Sequence, residues 1–295
     1  MYVGRFAPSP TGPLHFGSLI AAVASYLEAK SQQGKWLVRM EDLDKPREMQ
    51  GAADDILRTL LAFGFEWDDD VVYQSQRTAL YQDAFEKLQS EGLIYPCSCS
   101  RKEIADSATN GIEGLVYPGT CRAGMTQSRT QYAWRIRVTD EILSFDDAIQ
   151  GSQSQQLKRD IGDFVLKRAD GLFAYQLAVV VDDASQHITH IVRGADLLSS
   201  TPRQIYLQRL LGFKQPLYAH IPLAVNKQGE KLSKQNLALP INKQHANQLV
   251  FDALVFLGQN PPLSVKQSSL SEIWQWAKKN WQSSRISHQP SINIE

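Results

Sequence analysis

The sequence predicts an α/β protein: a parallel sheet with helices packed over it. Two observations carry this expectation. Strand-like and helix-like apolar runs alternate as β-α-β-α through the first 63 residues, and strand-like runs return from Tyr132 onward.

Residues 2–7 read as a strand, after which Pro8, Pro10, Gly12 and Pro13 forbid helix as far as Gly17. From Ser18 to Gln33, Leu19, Ile20, Val23 and Leu27 recur at helical spacing, and Gly34 stops the helix. Residues 35–40 read as a second strand, residues 47–63 as a second helix ended by Gly64, and residues 78–90 as a third helix. Residues 92–129 turn irregular, with cysteines, glycines and hydroxyl residues, and read as an insertion. Strand-like runs follow at 132–138, 163–167, 173–181 and 188–192, then a helix at 201–211. A strand-like 221–225 leads to a Gly229 loop, a helix over 245–257, a Pro261-Pro262 break and a Trp-rich helix over 270–281. The tail from Gln282, rich in Ser and Gln, is expected to be disordered.

With 43% apolar residues, the 295-residue chain can bury a full core in two or three compact units. It has no apolar run of about 18 residues and no basic-then-apolar leader, so a cytoplasmic protein with no membrane contact is expected. Basic and acidic residues balance at 31 each, so any nucleic-acid contact must rest on a local patch. Cys97, Cys99 and Cys121, an odd count within 25 residues, suit metal ligation or free thiols better than a disulfide framework.

Two stretches carry candidate phosphate chemistry. The first runs from Arg5 to Ser18, a strand, a rigid turn and a helix start. There unpaired N–H groups can meet phosphate, Gly17 allows close backbone approach, and His15 and Ser18 lie about one helical turn apart. A proline-rich turn with Ser18 as a helix cap is the plainer reading. The second is Gly229-Glu230-Lys231-Leu232-Ser233-Lys234-Gln235, whose paired lysines can neutralise a pyrophosphate leaving group. A solvated lysine loop is its plainer reading. The Asp68-Asp69-Asp70 and Asp182-Asp183 clusters read as solvated turns, Trp274, Trp276 and Trp281 as core, and the histidines after His15 show no metal spacing.

His15-Phe16-Gly17-Ser18 resembles the HIGH signature, and Lys231-Leu232-Ser233-Lys234-Gln235 the KMSKS signature, of class I aminoacyl-tRNA synthetases. The string from Arg5 to Gly12 is similar to the glutamyl branch. So are Glu41-Asp42-Leu43-Asp44, Trp67-Asp68, Tyr73-Gln74-Ser75 with Arg77 and Tyr81, Phe173 to Ala178, and Arg193-Gly194-Ala195-Asp196. Only 60 residues follow Gln235, and with the cysteine cluster this resembles the glutamyl-queuosine tRNA(Asp) synthetase family, which lacks the anticodon-binding domain of longer relatives. The pattern departs at two places: Ser18 stands at the final His of HIGH, and Gln235 at the final Ser of KMSKS.

The resemblance implies a Rossmann-like parallel sheet with HIGH- and KMSKS-type motifs, a zinc-containing insertion and a short helical C-terminal region. It implies catalytic halves at 1–92 and 161–212, a connective insertion with a zinc site at 93–160, and a KMSKS loop with a helical region contacting the tRNA stem at 213–295. The implied activity is ligation: a monomer activates L-glutamate with ATP and Mg, without tRNA, and passes it to queuosine in the anticodon of tRNA(Asp). A short glutamyl-tRNA synthetase charging the 3′ end, and a noncatalytic paralogue binding tRNA or glutamate, are the rival readings. His15, Gly17 and Ser18 are expected to hold ATP, and Lys231 and Lys234 to serve the leaving group. Arg5 and Arg193 suit carboxylates and Glu41 suits the ammonium, in a pocket that Phe6, Ala7, Pro8, Ser9 and Tyr175 complete. Cys97, Cys99 and Cys121 supply only three of the four ligands zinc wants, and the resemblance offers Tyr117 as the fourth.

Overall fold

The computed structural model describes residues 1–112, 114–125, 127–229 and 240–294. Strand β1 (Val3–Phe6) runs into helix α1 (Phe16–Ser31), which crosses back to β2 (Lys35–Met40); the two strands pair in parallel, Val3 opposite Lys35 and Phe6 opposite Val38. Helix α1 is buried on most of its faces, from Leu19 and Ile20 to Leu27 and Ala29, because both sheet and later helices cover it. Gly34 makes the return to β2 possible: a Cβ there would lie 2.5 Å from the Tyr2 carbonyl oxygen. Helix α2 (Ala52–Ala62) then leads to a short parallel strand β3 (Val72–Tyr73) beside β2, and α3 (Thr78–Ser90) occupies the residues expected of it.

The irregular stretch is a small layer of its own. Strand β4 (Ile94–Cys97), helix α4 (Arg101–Ala105), the hairpin β5 (Thr109–Gly111) and β6 (Gly114–Val116), and β7 (Ala133–Ile136) build it. Beyond it lie β8 (Ile142–Asp147), β9 (Gly151–Gln156), α5 (Leu157–Asp160) and β10 (Val165–Lys167), with β10-β7-β4 forming an antiparallel sheet. The β8–β9 hairpin has no counterpart in the sequence reading. Its buried positions alternate only along β8 (Leu143, Phe145, Asp147), and one of the three is a carboxylate.

The run at 173–181, expected as a strand, is mostly helix α6 (Tyr175–Ser185). Its three consecutive valines favour a strand locally, yet Leu177 to Asp183 are all buried, and a helix covered on every side leaves no period to read. After α6 come β11 (His190–Gly194), α7 (Thr201–Leu211), β12 (Leu217–Ile221) and β13 (Leu223–Val225). Helices α8 (Ala246–Phe256), α9 (Leu263–Lys266) and α10 (Leu270–Asn280) and strand β14 (Ser291–Asn293) complete the described elements. The tail is ordered, against expectation: Ile286 is buried in the core and β14 pairs in parallel with β13.

Strands β11, β12 and β8 pair in parallel, with β9 antiparallel at the edge. The β11 side meets β1 where the Thr189 N–H donates to the Val3 carbonyl (2.9 Å) and the Val3 N–H donates to Thr189 Oγ1 (2.9 Å). Chain order runs outward from β1 through β2 to β3 on one side and from β11 to β12 on the other, and a crevice opens at the carboxyl ends of β1 and β11. Behind it, Trp274 joins Tyr26, Trp36 and Phe65 in an aromatic cluster and donates to the Phe63 carbonyl (2.8 Å); Trp276 and Trp281 pack against the same core.

One expectation about charge is overturned. Asp182 and Asp183 are not solvated: their side chains are 0% and 5% exposed, because α6 lies inside the molecule with arginines on both sides. Asp68 and Asp69 lie in the partly exposed stretch between α2 and β3, paired with Lys30 (2.6 Å) and Lys35 (2.9 Å).

Candidate active site

A cleft of about 590 Å³ opens at the carboxyl ends of β1, β11 and β12, with the N-terminus of α1 on its wall. Arg5, Phe6, Ala7, Pro8, Ser9, His15, Gly17, Ser18, Glu41, Tyr175 and Arg193 all line it. The structure thus gathers into one cavity eleven residues drawn from four separated stretches of chain. Lys231 and Lys234 lie outside the described residues.

His15, not Ser18, caps α1. Its backbone is extended, and its Nδ1 accepts the Ser18 N–H (3.3 Å). With Nδ1 so engaged, the proton belongs on Nε2, which lies 3.0 Å from Ser18 Oγ. The serine at the end of the HIGH-like motif therefore holds the histidine ring on both edges.

Under the cleft floor lies a buried charge network. Arg39, whose side chain is 0% exposed, reaches Asp183 (2.8 Å), Glu41 (3.3 Å) and Gln186 (2.8 Å), while Arg5 Nε donates to Asp183 (3.2 Å). Asp182 accepts from Arg77 (2.6 Å), Gln74 (2.8 Å) and Tyr81 (2.8 Å). Burial pushes the Asp183 carboxyl up, but Arg5 and Arg39 outweigh it and hold the group below its usual range. Burial dominates at Glu41 and raises it despite Arg39 and Arg5; it also raises the Tyr175 phenol. Helix α6 serves both levels, since Tyr175 and Asp182 are seven residues apart and share a face.

Arg193 is held from behind. Its Nε donates to His220 Nε2 (2.9 Å), and its Nη2 donates to Thr201 Oγ1 (2.8 Å) and the Leu197 carbonyl (3.4 Å). Its Nη1 is buried without a hydrogen-bond partner among the described residues. A guanidinium fixed on two corners with a bare donor on the third, lining a cleft, suits an incoming carboxylate. Burial, with Arg193 nearby, brings His220 down to about 4, so the ring is neutral at pH 7.

Sequence reading missed Arg39, Asp182, Asp183, Asp147, Thr201 and His220. The Asp pair carried a signal, two carboxylates at the end of an apolar run, legible only once that run is taken as helix. His220 carried none.

The cysteines also converge. Among the described residues, the three Sγ atoms lie within 4.8 Å of one another, with Cys99 and Cys121 at 3.4 Å. The Tyr117 hydroxyl sits 3.3 Å from Cys97 Sγ and 3.5 Å from Cys99 Sγ and accepts the Cys121 N–H at 2.8 Å. Three sulfurs and one oxygen at these separations fit the corners of a tetrahedron about one cation. Burial pushes the Cys99 thiol up to about 11 and raises the Tyr117 phenol, so a bound cation must displace these protons.

Residues 2–258 match the family model for the catalytic domain of class I tRNA synthetases (E and Q). The chain is 57% identical over 293 residues to the glutamyl-Q tRNA(Asp) synthetase of Dechloromonas aromatica (strain RCB), covering 99% of this chain and 97% of that one. It is 58% identical over 286 residues to the enzyme of the same name from Chromobacterium violaceum, covering 97% and 95%. In fold it is similar to a glutamate tRNA ligase from Elizabethkingia meningosepticum (TM-score 0.81, 23% identity, 100% of this chain and 67% of that one). A glutamate-tRNA synthetase from Elizabethkingia anophelis gives a TM-score of 0.82 at 23% identity, covering 100% and 68%. Among the described residues no helix is long and apolar enough to cross a membrane. The chain belongs to the class I (E and Q) tRNA synthetase family and, within it, to the glutamyl-Q tRNA(Asp) synthetases.

Proposed function

We propose that this protein activates L-glutamate with ATP, in the absence of tRNA, and transfers it to the queuosine base in the anticodon of tRNA(Asp), acting as a monomer in the cytoplasm. The observation that carries the reading is the bare, buried Nη1 of Arg193 in a cleft shared with Arg5 and Glu41. A donor-only guanidinium donates well to the glutamate side-chain carboxylate and meets the –NH2 of glutamine badly. Glu41 takes the ammonium, and Phe6, Ala7, Pro8, Ser9 and Tyr175 form the walls.

The α-carboxylate is already ionised at pH 7, so no general base is needed in the first step. One of its oxygens attacks the α-phosphorus, the bond to pyrophosphate breaks, and a mixed anhydride forms. His15, Ser18 and the backbone at Gly17 position the triphosphate, which enters with Mg; Lys231 and Lys234 neutralise the departing pyrophosphate. A nucleophile of queuosine then attacks the acyl carbon and AMP leaves. Lys234→Ala is expected to slow glutamate-dependent ATP–pyrophosphate exchange by about 10²- to 10³-fold; an unchanged rate would remove Lys234 from this role.

Zinc at Cys97, Cys99, Tyr117 and Cys121 would be structural, the four corners being filled by protein with no position open to substrate. On this reading the connective insertion 93–160 joins catalytic halves 1–92 and 161–212, ahead of the KMSKS loop and stem-contact region 213–295. Metal analysis of purified protein is expected to give about one zinc per chain, falling to near zero in Cys121→Ser together with a lower Tm. An equal zinc content in both proteins would contradict this assignment.

Labelled glutamate offered with tRNA(Asp) carrying or lacking queuosine tests the acceptor. Labelling only of the queuosine form is expected. Equal labelling of both would identify a 3′-end charging enzyme instead, and no activation at all a noncatalytic paralogue.

A further inference from the structure

We infer that Asp147 and His220 are positioning residues that fix the Arg193 guanidinium through the tautomer of the histidine ring, so that affinity for glutamate is set by a carboxylate that never touches it. This rests on the glutamate reading above.

Asp147 ends β8, the strand that the sequence did not reveal, and pairs there with Tyr218 of β12. Its Oδ1 accepts the N–H groups of Ile149 (3.0 Å), Gln150 (2.9 Å) and His220 (3.0 Å). Its Oδ2 faces His220 Nδ1 at 2.6 Å, and both side chains are 0% exposed. A carboxylate only accepts, so Nδ1 carries the ring proton and Nε2 presents a lone pair. That lone pair receives the Arg193 Nε–H at 2.9 Å, while Thr201 Oγ1 receives Nη2 at 2.8 Å. Two corners of the guanidinium plane are thereby held, and Nη1 is left for the ligand.

The chain of donors has one direction, and a single atom reverses it. Asp147→Asn keeps an oxygen for the three backbone N–H groups, since flipping the amide would aim its NH2 at all of them. The NH2 group must then face Nδ1, which can receive it only by giving up its proton. The proton moves to Nε2 and confronts the Arg193 Nε–H, donor against donor, so Arg193 turns away from its ligand-binding pose.

Glutamate-dependent ATP–pyrophosphate exchange by the full chain reads the outcome. Asp147→Asn is expected to raise KM for glutamate by about 10-fold or more, as for loss of a hydrogen bond to a charged group, with KM for ATP unchanged and the urea midpoint near that of the parent. His220→Leu, which removes the acceptor, should raise KM for glutamate likewise, with a lower urea midpoint because it leaves the buried Asp147 carboxylate without its partner. The double variant Asp147→Asn with His220→Leu should match His220→Leu alone, because Asp147 acts on Arg193 only through the ring that is gone. An unchanged KM for glutamate in Asp147→Asn would overturn the inference while leaving glutamate activation standing. So would a parallel rise in both KM values with a lowered urea midpoint, the mark of general damage. Absence of glutamate-dependent exchange in the parent protein would sink the functional reading itself and this inference with it.

Discussion

Arg193→Leu is expected to lower kcat/KM for glutamate in ATP–pyrophosphate exchange by about 10²- to 10⁴-fold, the loss of two charge-assisted hydrogen bonds at about 1.5 to 3 kcal/mol each. The fall should appear chiefly in KM for glutamate, because the proposal sets Arg193 against the amino acid and not the transferring phosphorus. Discrimination against glutamine should fall with it, since the leucine presents nothing to prefer a carboxylate over an amide. Arg193→Lys keeps the charge and still should lose most of the activity: an ammonium cannot hold His220 and Thr201 from behind while offering a donor forward. A leucine variant with parental selectivity for glutamate over glutamine would remove Arg193 from the pocket.

The second large effect concerns stability. Arg39→Met is expected to destabilise the fold by about 3 to 5 kcal/mol at pH 7, measured by urea unfolding, because it leaves buried carboxylates without their shared partner. Asp183 would keep Arg5, and Asp182 would keep Arg77, Gln74 and Tyr81, but Glu41 would lose its nearest cation. The pH dependence follows from the direction of each shift. Asp183 is held below its unfolded value, near 3.9, so its stabilisation is present above about pH 4 and is lost as pH falls through the lower folded value. Glu41 is raised, so its burial costs stability at neutral pH and that cost vanishes on protonation. In Arg39→Met the acids take up protons more readily, and the deficit relative to the parent should shrink as pH is lowered from 8 toward 4. A deficit that stayed constant over that range would mean that lost packing, not unpaired charge, is responsible.

The two halves of the site differ in how far they could be read in advance. The β1 turn and the α1 start were legible because prolines, glycines and a helical apolar period mark a strand-to-helix junction wherever it sits. The cleft residues Arg5, Glu41, Tyr175 and Arg193 are scattered over 189 positions, and no local pattern joins them. Their grouping came from the resemblance, and the structure brings them to one cavity. The layer beneath was hidden for a physical reason. Asp182 and Asp183 follow a valine run that favours a strand locally, and only burial by neighbouring elements makes it helix and turns a solvated-looking pair into the anchor of three arginines. Asp147 was hidden similarly: hairpin β8–β9 buries one face of a polar segment, and tertiary pairing with β12, not local preference, makes it a strand. The tail misled in the same manner, since among its Ser and Gln residues lie one buried side chain, Ile286, and a strand that pairs with β13.

The most direct measurement is a crystal structure with a non-hydrolysable glutamyl-adenylate analogue, in which the only free carboxylate is that of the glutamate side chain. The cleft at the carboxyl ends of β1 and β11 should hold it, with that carboxylate on Arg193 Nη1 and Arg5, the ammonium at Glu41, and the adenylate phosphate against His15 and Gly17. An analogue bound elsewhere, or bound in the cleft with Arg193 Nη1 still bare, would contradict the account.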